Sequence, residues 1–441
     1  MIHDLKTRAQ GAWRAMLRDN WWTERRVAQL RAHESMSVDE LESWRRQALA
    51  RSLQSASRLP AYRQLAGEAI HAGNAEDMLA RLPVISKTDL LGRRHEFYPE
   101  QRPWHAIGQS SGTSGTPIRV LRSFDSVITE NAFVKRHWAW SGFKNGMPRA
   151  FLRGDLVVPT DQSEPPFWRL NPVNNQLMVS SRHLKPPFGK AIVEALAEFG
   201  PVMMQAYPST AFSLAQLAQA SDVKLHIPYV YTSSEVLMPY QAELVQQVLG
   251  AKVMDLYGMA ERVIMATGCE HGFMHVNTDY SWVEIIDEDG HPTDGVGTLV
   301  GSTFHNQLMP ILRYRLGDLS RWMPGQCPCG RPFPRIEPVL GRLQDQVYDS
   351  RGQPLSPTLV QFVFKAANHI REAQVAQIGF GHWQVRIAPY PEYGQAMEDS
   401  IRASFAKYVD ANLKVDFVYL EEIPRTKAGK YRWVVNEVAN A

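Results

Sequence analysis

The sequence predicts an α/β fold: a large N-terminal body of several subdomains, with layered sheets and helices, followed by a small α+β C-terminal lid. Two observations carry this prediction. Helix-periodic segments and short apolar, strand-like runs alternate through the middle of the chain, the pattern that layers helices on a sheet. A second, more compact set of such segments occupies the last part, about 100 residues, the size of a small independent unit. With 441 residues, 44% of them hydrophobic, the chain can bury more than one core.

In the body, 190–199 is helix-periodic, 202–207 is a short apolar strand, 211–220 is helical again and 229–232 reads as strand. In the lid, 357–367 and 395–409 read as helices, and 373–378, 383–387 and 415–420 as strands. The first 64 residues are rich in Arg and Trp, yet Glu24, Glu34, Asp39, Glu40 and Glu42 interrupt the basic face. A helix packed on the body is therefore expected there, rather than one lying on a membrane. No apolar run is long enough for a membrane span or a signal peptide. A net charge of +3 leaves no nucleic-acid footprint. The three cysteines are too few and too unevenly spaced for a secreted disulfide scaffold, which fits a reducing cytoplasm.

Residues 110–117 read SSGTSGTP. Ser110, Ser111, Thr113, Ser114 and Thr116 supply hydroxyls, and Gly112 and Gly115 let the backbone fold tightly and aim N–H groups at an anion. No Gly-Lys-Ser/Thr follows, so this is not a Walker loop. From these residues alone, a phosphate cradle and a flexible linker both stand. Taken singly, Glu261 reads as a surface carboxylate at a helix start and Lys430 as a solvated lysine near the terminus. Trp138, Trp140, Phe151, Tyr207 and Phe212 can stack on an aromatic ring, although aromatics at this density more often pack a core.

The 110–117 segment resembles the phosphate loop of the adenylate-forming superfamily of acyl-CoA ligases, luciferases and nonribosomal-peptide adenylation domains, with Ile118 where that loop has lysine and Arg119 next to it. Further segments follow in the superfamily's order. Ser233-Ser234-Glu235 is similar to its adenine-side loop, which more often has glycine at Ser234. Tyr257-Gly258-Met259-Ala260-Glu261 is similar to a motif whose tyrosine lies against the nucleotide and whose glutamate helps hold magnesium, a hard cation suited to carboxylate and phosphate oxygens. Arg313-Tyr314-Arg315-Leu316-Gly317-Asp318 is similar to the ribose motif, its aspartate accepting from both hydroxyls. Gly341-Arg342-Leu343-Gln344-Asp345 resembles the hinge, where the arginine also meets the ribose. The run from Pro424 to Lys430 resembles the C-terminal signature whose last lysine bridges the substrate carboxylate and the α-phosphate. Leu82-Pro83-Val84-Ile85-Ser86-Lys87, Arg153-Gly154-Asp155 and Pro166-Phe167-Trp168-Arg169 resemble the phenylacetate-CoA ligase branch, including its capsule-biosynthesis and coenzyme-adenylating members.

The resemblance implies an ATP-dependent ligase that activates a small carboxylic acid, aryl or related, as an acyl-adenylate with release of pyrophosphate. Coenzyme A is the implied acceptor; an amine or hydroxyl acceptor, or a non-catalytic binding homologue, are the alternatives. The implied body is 1–342 and the mobile lid 343–441. Implied roles are catalysis for Lys430 and Glu261, and ATP or AMP binding for residues 110–116, Ser234, Glu235, Tyr257, Gly258, Asp318 and Arg342. Monomer and homodimer are both left open.

Cys327-Pro328-Cys329-Gly330 lies in a Pro/Gly-rich turn able to present two thiolates, which Cys269 and His275 can complete to a tetrahedral site. A structural Zn2+ and ordinary buried thiols are the two readings. The branch often carries this Cys/His/Cys/Cys set, and its pattern selects His275 over His271, the competing imidazole.

Overall fold

The structure is a computed structural model that describes residues 19–99, 105–109, 118–339, 347–352, 354–355, 362–364, 369–425 and 432–438. The described chain starts with two helices, α1 (Trp21–His33) and α2 (Val38–Ala56). Asn20 caps α1, its Oδ1 accepting from the Thr23 N–H at 2.9 Å. At the start of α2, Ser37 and Glu40 form a reciprocal capping box that satisfies two otherwise orphaned N–H groups. Helix α1 lies on α3 (Phe124–Ala139): Leu30 meets Ala132 and Phe133, and Lys135 Nζ reaches Glu24 at 2.6 Å. The expected N-terminal helix packed on the body is thus a pair of helices.

A ten-stranded sheet forms the backbone of the body. Its centre is five parallel strands in the order Gln176–Val179, Arg149–Leu152, Met203–Ala206, Tyr229–Ser233 and Lys252–Gly258. Parallel neighbours need crossovers. The chain supplies them as α4 (Gly189–Phe199), α5 (Pro208–Gln219) and α6 (Pro239–Leu249). Ile192, Val193 and Leu196 of α4, Leu214 of α5 and Val245 and Leu249 of α6 are buried with Ala150, Leu152, Met204 and Val230 of the strands. That shared core is why the alternation was legible: each apolar stripe has a strand to cover. Antiparallel strands extend the sheet on both sides, Trp168–Asn171 on one and Met265–Gly268, Met274–Val276, Arg335–Ile336 and Trp322–Met323 on the other.

A separate three-stranded antiparallel sheet pairs Ser281–Ile286, Gly297–Thr303 and Tyr314–Ser320. Its core is shared with α2 and the segment before the phosphate-loop motif, through Leu49, Leu53, Tyr62, Leu82, Ile85, Leu299, Ile311 and Tyr314.

The C-terminal unit is a four-stranded sheet in the order Lys414–Tyr419, His382–Pro389, Ile370–Gly379, Val434–Asn436, with helix α7 (Gln395–Tyr408). Val375, Trp383, Val385, Ile401 and Phe405 form its centre, with Trp383 fully buried. The expected strands and the 395–409 helix are present. Of the helix expected at 357–367 only a 3-10 turn, Phe362–Phe364, lies within the described residues. Body and C-terminal unit touch: Met238 and Tyr240 pack into the C-terminal core, and Gln216 Nε2 donates to the Ile370 carbonyl at 3.1 Å. Among the described residues no helix is long and apolar enough to cross a membrane.

Candidate active site

The carboxyl ends of the parallel strands converge on one region. Arg153 follows Arg149–Leu152, Tyr207 follows Met203–Ala206, Ser234 follows Tyr229–Ser233, and Tyr257 and Gly258 end Lys252–Gly258. In open α/β sheets ligands bind in the crevice outside this edge, where connections leave in opposite directions. Ser234 has φ +72, a left-handed conformation that glycine adopts without strain, which explains why a glycine is expected there. Its Oγ accepts from Arg153 Nη2 at 2.9 Å, and the same guanidinium lies 5.1 Å from the centre of the Tyr207 ring. Glu235 accepts from the Ser209 N–H at 3.1 Å, setting a carboxylate at the N-terminus of α5.

Asp318 reaches this edge from the three-stranded sheet. The pairing of Gly297–Thr303 with Tyr314–Ser320 slips between Thr298 and Val300: Thr298 faces Leu319, but Val300 faces Arg315. Three residues, Leu316 to Asp318, therefore oppose Leu299 alone. Such a bulge re-aims side chains, and Gly317, at φ +79, supplies the positive φ it needs. Asp318 is 7% exposed, and Tyr257 Oη donates to its Oδ2 at 2.5 Å. Two motifs 61 residues apart are thus joined by one hydrogen bond.

Glu261 corrects the reading from the residue alone. It is neither on a helix nor at the surface: the chain reverses at 259–262, where the Arg262 N–H bonds the Met259 carbonyl at 3.2 Å, and Glu261 is 8% exposed. Tyr314 Oη donates to its Oε1 at 3.3 Å. Ile118 is 1% exposed and packs in the body core. Residues 110–116, Arg342, the hinge pair Gln344 and Asp345, and Lys430 lie outside the described residues.

At the far side of the ten-stranded sheet, Cys269, His275, Cys327 and Cys329 come together, all four ligand atoms within 4.8 Å of one another. Cys269 Sγ is 3.7 Å from Cys327 Sγ, and Cys329 Sγ is 3.4 Å from His275 Nε2. His275 Nδ1 lies 2.9 Å from the Phe333 carbonyl, which only a protonated Nδ1 can bond, so the Nε2 lone pair points at the sulfurs. His271 is exposed and outside the group. Burial pushes the Cys327 thiol up to about 12, with the Cys329 and Cys269 thiols adding to the rise. Three thiols and an imidazole in tetrahedral reach suit Zn2+ and leave no position for water.

The aromatic residues divide. Trp140 belongs to the cysteine side, with Arg331 over its ring at 4.0 Å and its Nε1 donating to Glu34 at 2.6 Å. Trp138 packs on Phe143 and Arg149. Phe212 meets Tyr240 edge-on, and both line a small cleft of about 60 Å³ between body and C-terminal unit with Phe364, Ile370 and Trp433.

Residues 347–437 match the CapK C-terminal domain family. The phenylacetate-coenzyme A ligase of Thermus thermophilus is 25% identical, covering 86% of this chain and 92% of its own. Protein CapK of Staphylococcus aureus is 21% identical over 85% of this chain and 83% of its own. Among solved structures, 2-hydroxyisobutyryl-CoA ligase in its postadenylation state superposes with a TM-score of 0.70 at 20% identity, covering 92% of this chain and 91% of its own. The same ligase in its thioesterification state gives 0.55 at the same identity and coverage. Over most of its length the chain is thus similar to phenylacetate-coenzyme A ligases and to CapK, and it shares the fold of an acyl-CoA ligase. The α/β body with a small C-terminal domain is the architecture of these neighbours.

Sequence reasoning missed two parts of this ligase-like site. Arg153 entered only as a mark of the branch, since a lone arginine after a strand gives no signal of the hydroxyl it will meet. Tyr314, inside the ribose motif, bonds Glu261 of another motif, a pairing visible only in three dimensions.

Proposed function

We propose that the protein is an AMP-forming acid–coenzyme A ligase that first joins a carboxylic acid to the α-phosphate of ATP, releasing pyrophosphate, and then passes the acyl group to the coenzyme A thiol. The observation that carries this reading is the Tyr257–Asp318 hydrogen bond at the carboxyl edge of the parallel sheet, which unites the nucleotide motif with the ribose motif. Whole-length likeness to phenylacetate-coenzyme A ligases supports it.

Asp318, screened from water, accepts from the ribose hydroxyls, and the Tyr257 ring lies against the base. Magnesium neutralises charge on the polyphosphate when bound, and Glu261, held by Tyr314, is its protein carboxylate. Residues 110–116 hold the phosphates with backbone N–H groups and hydroxyls. Lys430, carried in by the lid, stabilises charge on the carboxylate and α-phosphate. The lid, 343–441, turns about Gln344 and Asp345 between the two half-reactions; the higher TM-score to a postadenylation than to a thioesterification state supports an arrangement nearer the first pose. Cys269, His275, Cys327 and Cys329 hold a structural zinc.

Pyrophosphate release against a panel of aryl and alkyl acids, with and without coenzyme A, tests the reading. Acid-dependent release with AMP and thioester as products is the expected result. Nucleotide binding without release under any acid would leave only a binding homologue.

A further inference from the structure

Residues 110–118 contain no lysine or arginine, so the segment itself brings no side-chain cation to a polyphosphate. The hairpin that brackets it carries two arginines, Arg119 and Arg122. His105–Gln109 pairs antiparallel with Arg119–Ser123, with Ala106 opposite Arg122 and Gly108 opposite Val120. Side chains at 106, 108, 120 and 122 therefore share one face of the hairpin. Arg122 runs along this face toward the end where 110–118 leaves it. A Cβ built on Gly108 would lie 2.0 Å from the Arg122 Cζ and 2.2 Å from its Nη2, so residue 108 must lack a side chain for the guanidinium to lie there.

From that position Nη2 donates to the carbonyl of Ala260, the residue before Glu261. The hairpin and the 259–262 turn are thereby fastened to each other. Arg122 Nε is buried without a hydrogen-bond partner among the described residues. Glu130, whose charge acts on Arg122, is already engaged by Arg262 at 3.4 Å and by Tyr280 Oη at 2.6 Å. Burial, then the neighbouring Arg262, push the guanidinium down to about 10, which still leaves it charged at neutral pH. A half-buried, charged guanidinium whose Nε is sealed from water and unused is costly unless an anion completes it.

We propose that Arg122 is a positioning residue for the nucleotide triphosphate: it clamps the Glu261 turn to the hairpin and sets a fixed positive charge beside the carboxylate that faces the metal and phosphates. This rests on the reading of the site as an ATP site. Gly108 is the second half of the device, because its missing side chain is the space the guanidinium uses.

The test compares wild type with Arg122→Ala, Arg122→Lys and Gly108→Ala, measuring KM for MgATP, kcat of acid-dependent pyrophosphate release, inhibition by added pyrophosphate, and the melting temperature with and without MgATP. Arg122→Ala is expected to raise KM for MgATP about tenfold or more and to weaken pyrophosphate inhibition by a similar factor, leaving KM for the acid unchanged. Arg122→Lys returns the charge and should recover most of the pyrophosphate affinity; Gly108→Ala keeps the charge but displaces it and should resemble Arg122→Ala. Unchanged KM and pyrophosphate inhibition in both Arg122→Ala and Gly108→Ala overturn the inference, as does equal loss in the alanine and lysine variants with a lowered melting temperature, the mark of a packing role. If Arg122→Ala does not fold, the other two variants decide by the same criteria. A wild type that neither releases pyrophosphate nor is stabilised by MgATP sinks the ATP reading itself, whereas equal MgATP stabilisation of wild type and Arg122→Ala sinks the inference alone.

Discussion

Asp318→Ala removes the carboxylate that joins the two nucleotide motifs, and its effect can be sized from the structure. The residue is 7% exposed, so water competes poorly with the bonds it makes to a ligand. A hydrogen bond to a charged group contributes about 1.5–3 kcal/mol. Two ribose hydroxyls would offer two such bonds, but Oδ2 already accepts from Tyr257, so one of them replaces or shares an existing contact. The net loss is about 3 kcal/mol, or about 100-fold weaker MgATP binding. Asp318→Asn keeps the shape and one acceptor while removing the charge, and is expected to lose about tenfold. Calorimetric titration of MgATP into wild type and both variants, at one pH and salt concentration, measures this; thermal melting of each free protein checks that the fold is intact. Wild-type MgATP affinity in Asp318→Ala would refute the ribose assignment, and so would a ranking in which asparagine binds worse than alanine.

Three further outcomes are expected. Protein purified without chelator should contain about one zinc per chain by elemental analysis, and Cys327→Ser should lose the metal and several degrees of melting temperature before any loss of chemistry specific to the site; absence of stoichiometric zinc refutes this. Lys430→Ala should slow acyl-adenylate formation by roughly two to three orders of magnitude, since a preorganised charge at the reacting centre contributes about 3–4 kcal/mol, yet transfer from synthetic acyl-AMP to coenzyme A should stay near wild type; equal loss in both steps removes Lys430 from the first. His305, buried between Phe133 and Tyr280, is held well below its ordinary value by burial and by the charges of Arg262, Arg26 and Arg122. Below about pH 6.5 the unfolded chain takes up a proton that folded His305 refuses, so stability present above that pH is lost as pH falls, by about 1.4 kcal/mol per pH unit for this one group; urea midpoints at several pH values should fall less steeply in His305→Gln.

The elements most legible in the sequence are those whose periodicity is repaid by a single neighbour. The 190–199 helix and the strands at 203–206 and 229–233 bury one face each against a shared core, so pattern and structure coincide. The site motifs were legible through their order along the chain, and the cysteines through their chemistry. Glu261 was misread in isolation because carboxylates are usually solvated; a turn between antiparallel strands with a tyrosine hydroxyl over it buries this one. Arg122 and Arg153 stayed hidden because their partners, Ala260 and Ser234, are 138 and 81 residues away, and no local pattern encodes such a meeting. The bulge that aims Asp318 was equally invisible, since a register shift depends on the partner strand as much as on its own residues.

Arg313 gives the order in which this molecule can be completed during synthesis. It sits at φ +48 just before the ribose strand, and its guanidinium donates to the carbonyls of Ala80 and Leu82 and to Glu284, while the neighbouring backbone pairs with Ile85. The Leu82 contact spans 231 residues. A nascent chain therefore carries the 80–85 segment without its partners at 313–315 until nearly three-quarters of the protein has been made. Fragments that stop short of residue 313 should be sticky and chaperone-dependent, and fragments that begin after residue 85 should bind MgATP more weakly, because the strand that carries Asp318 loses its anchor.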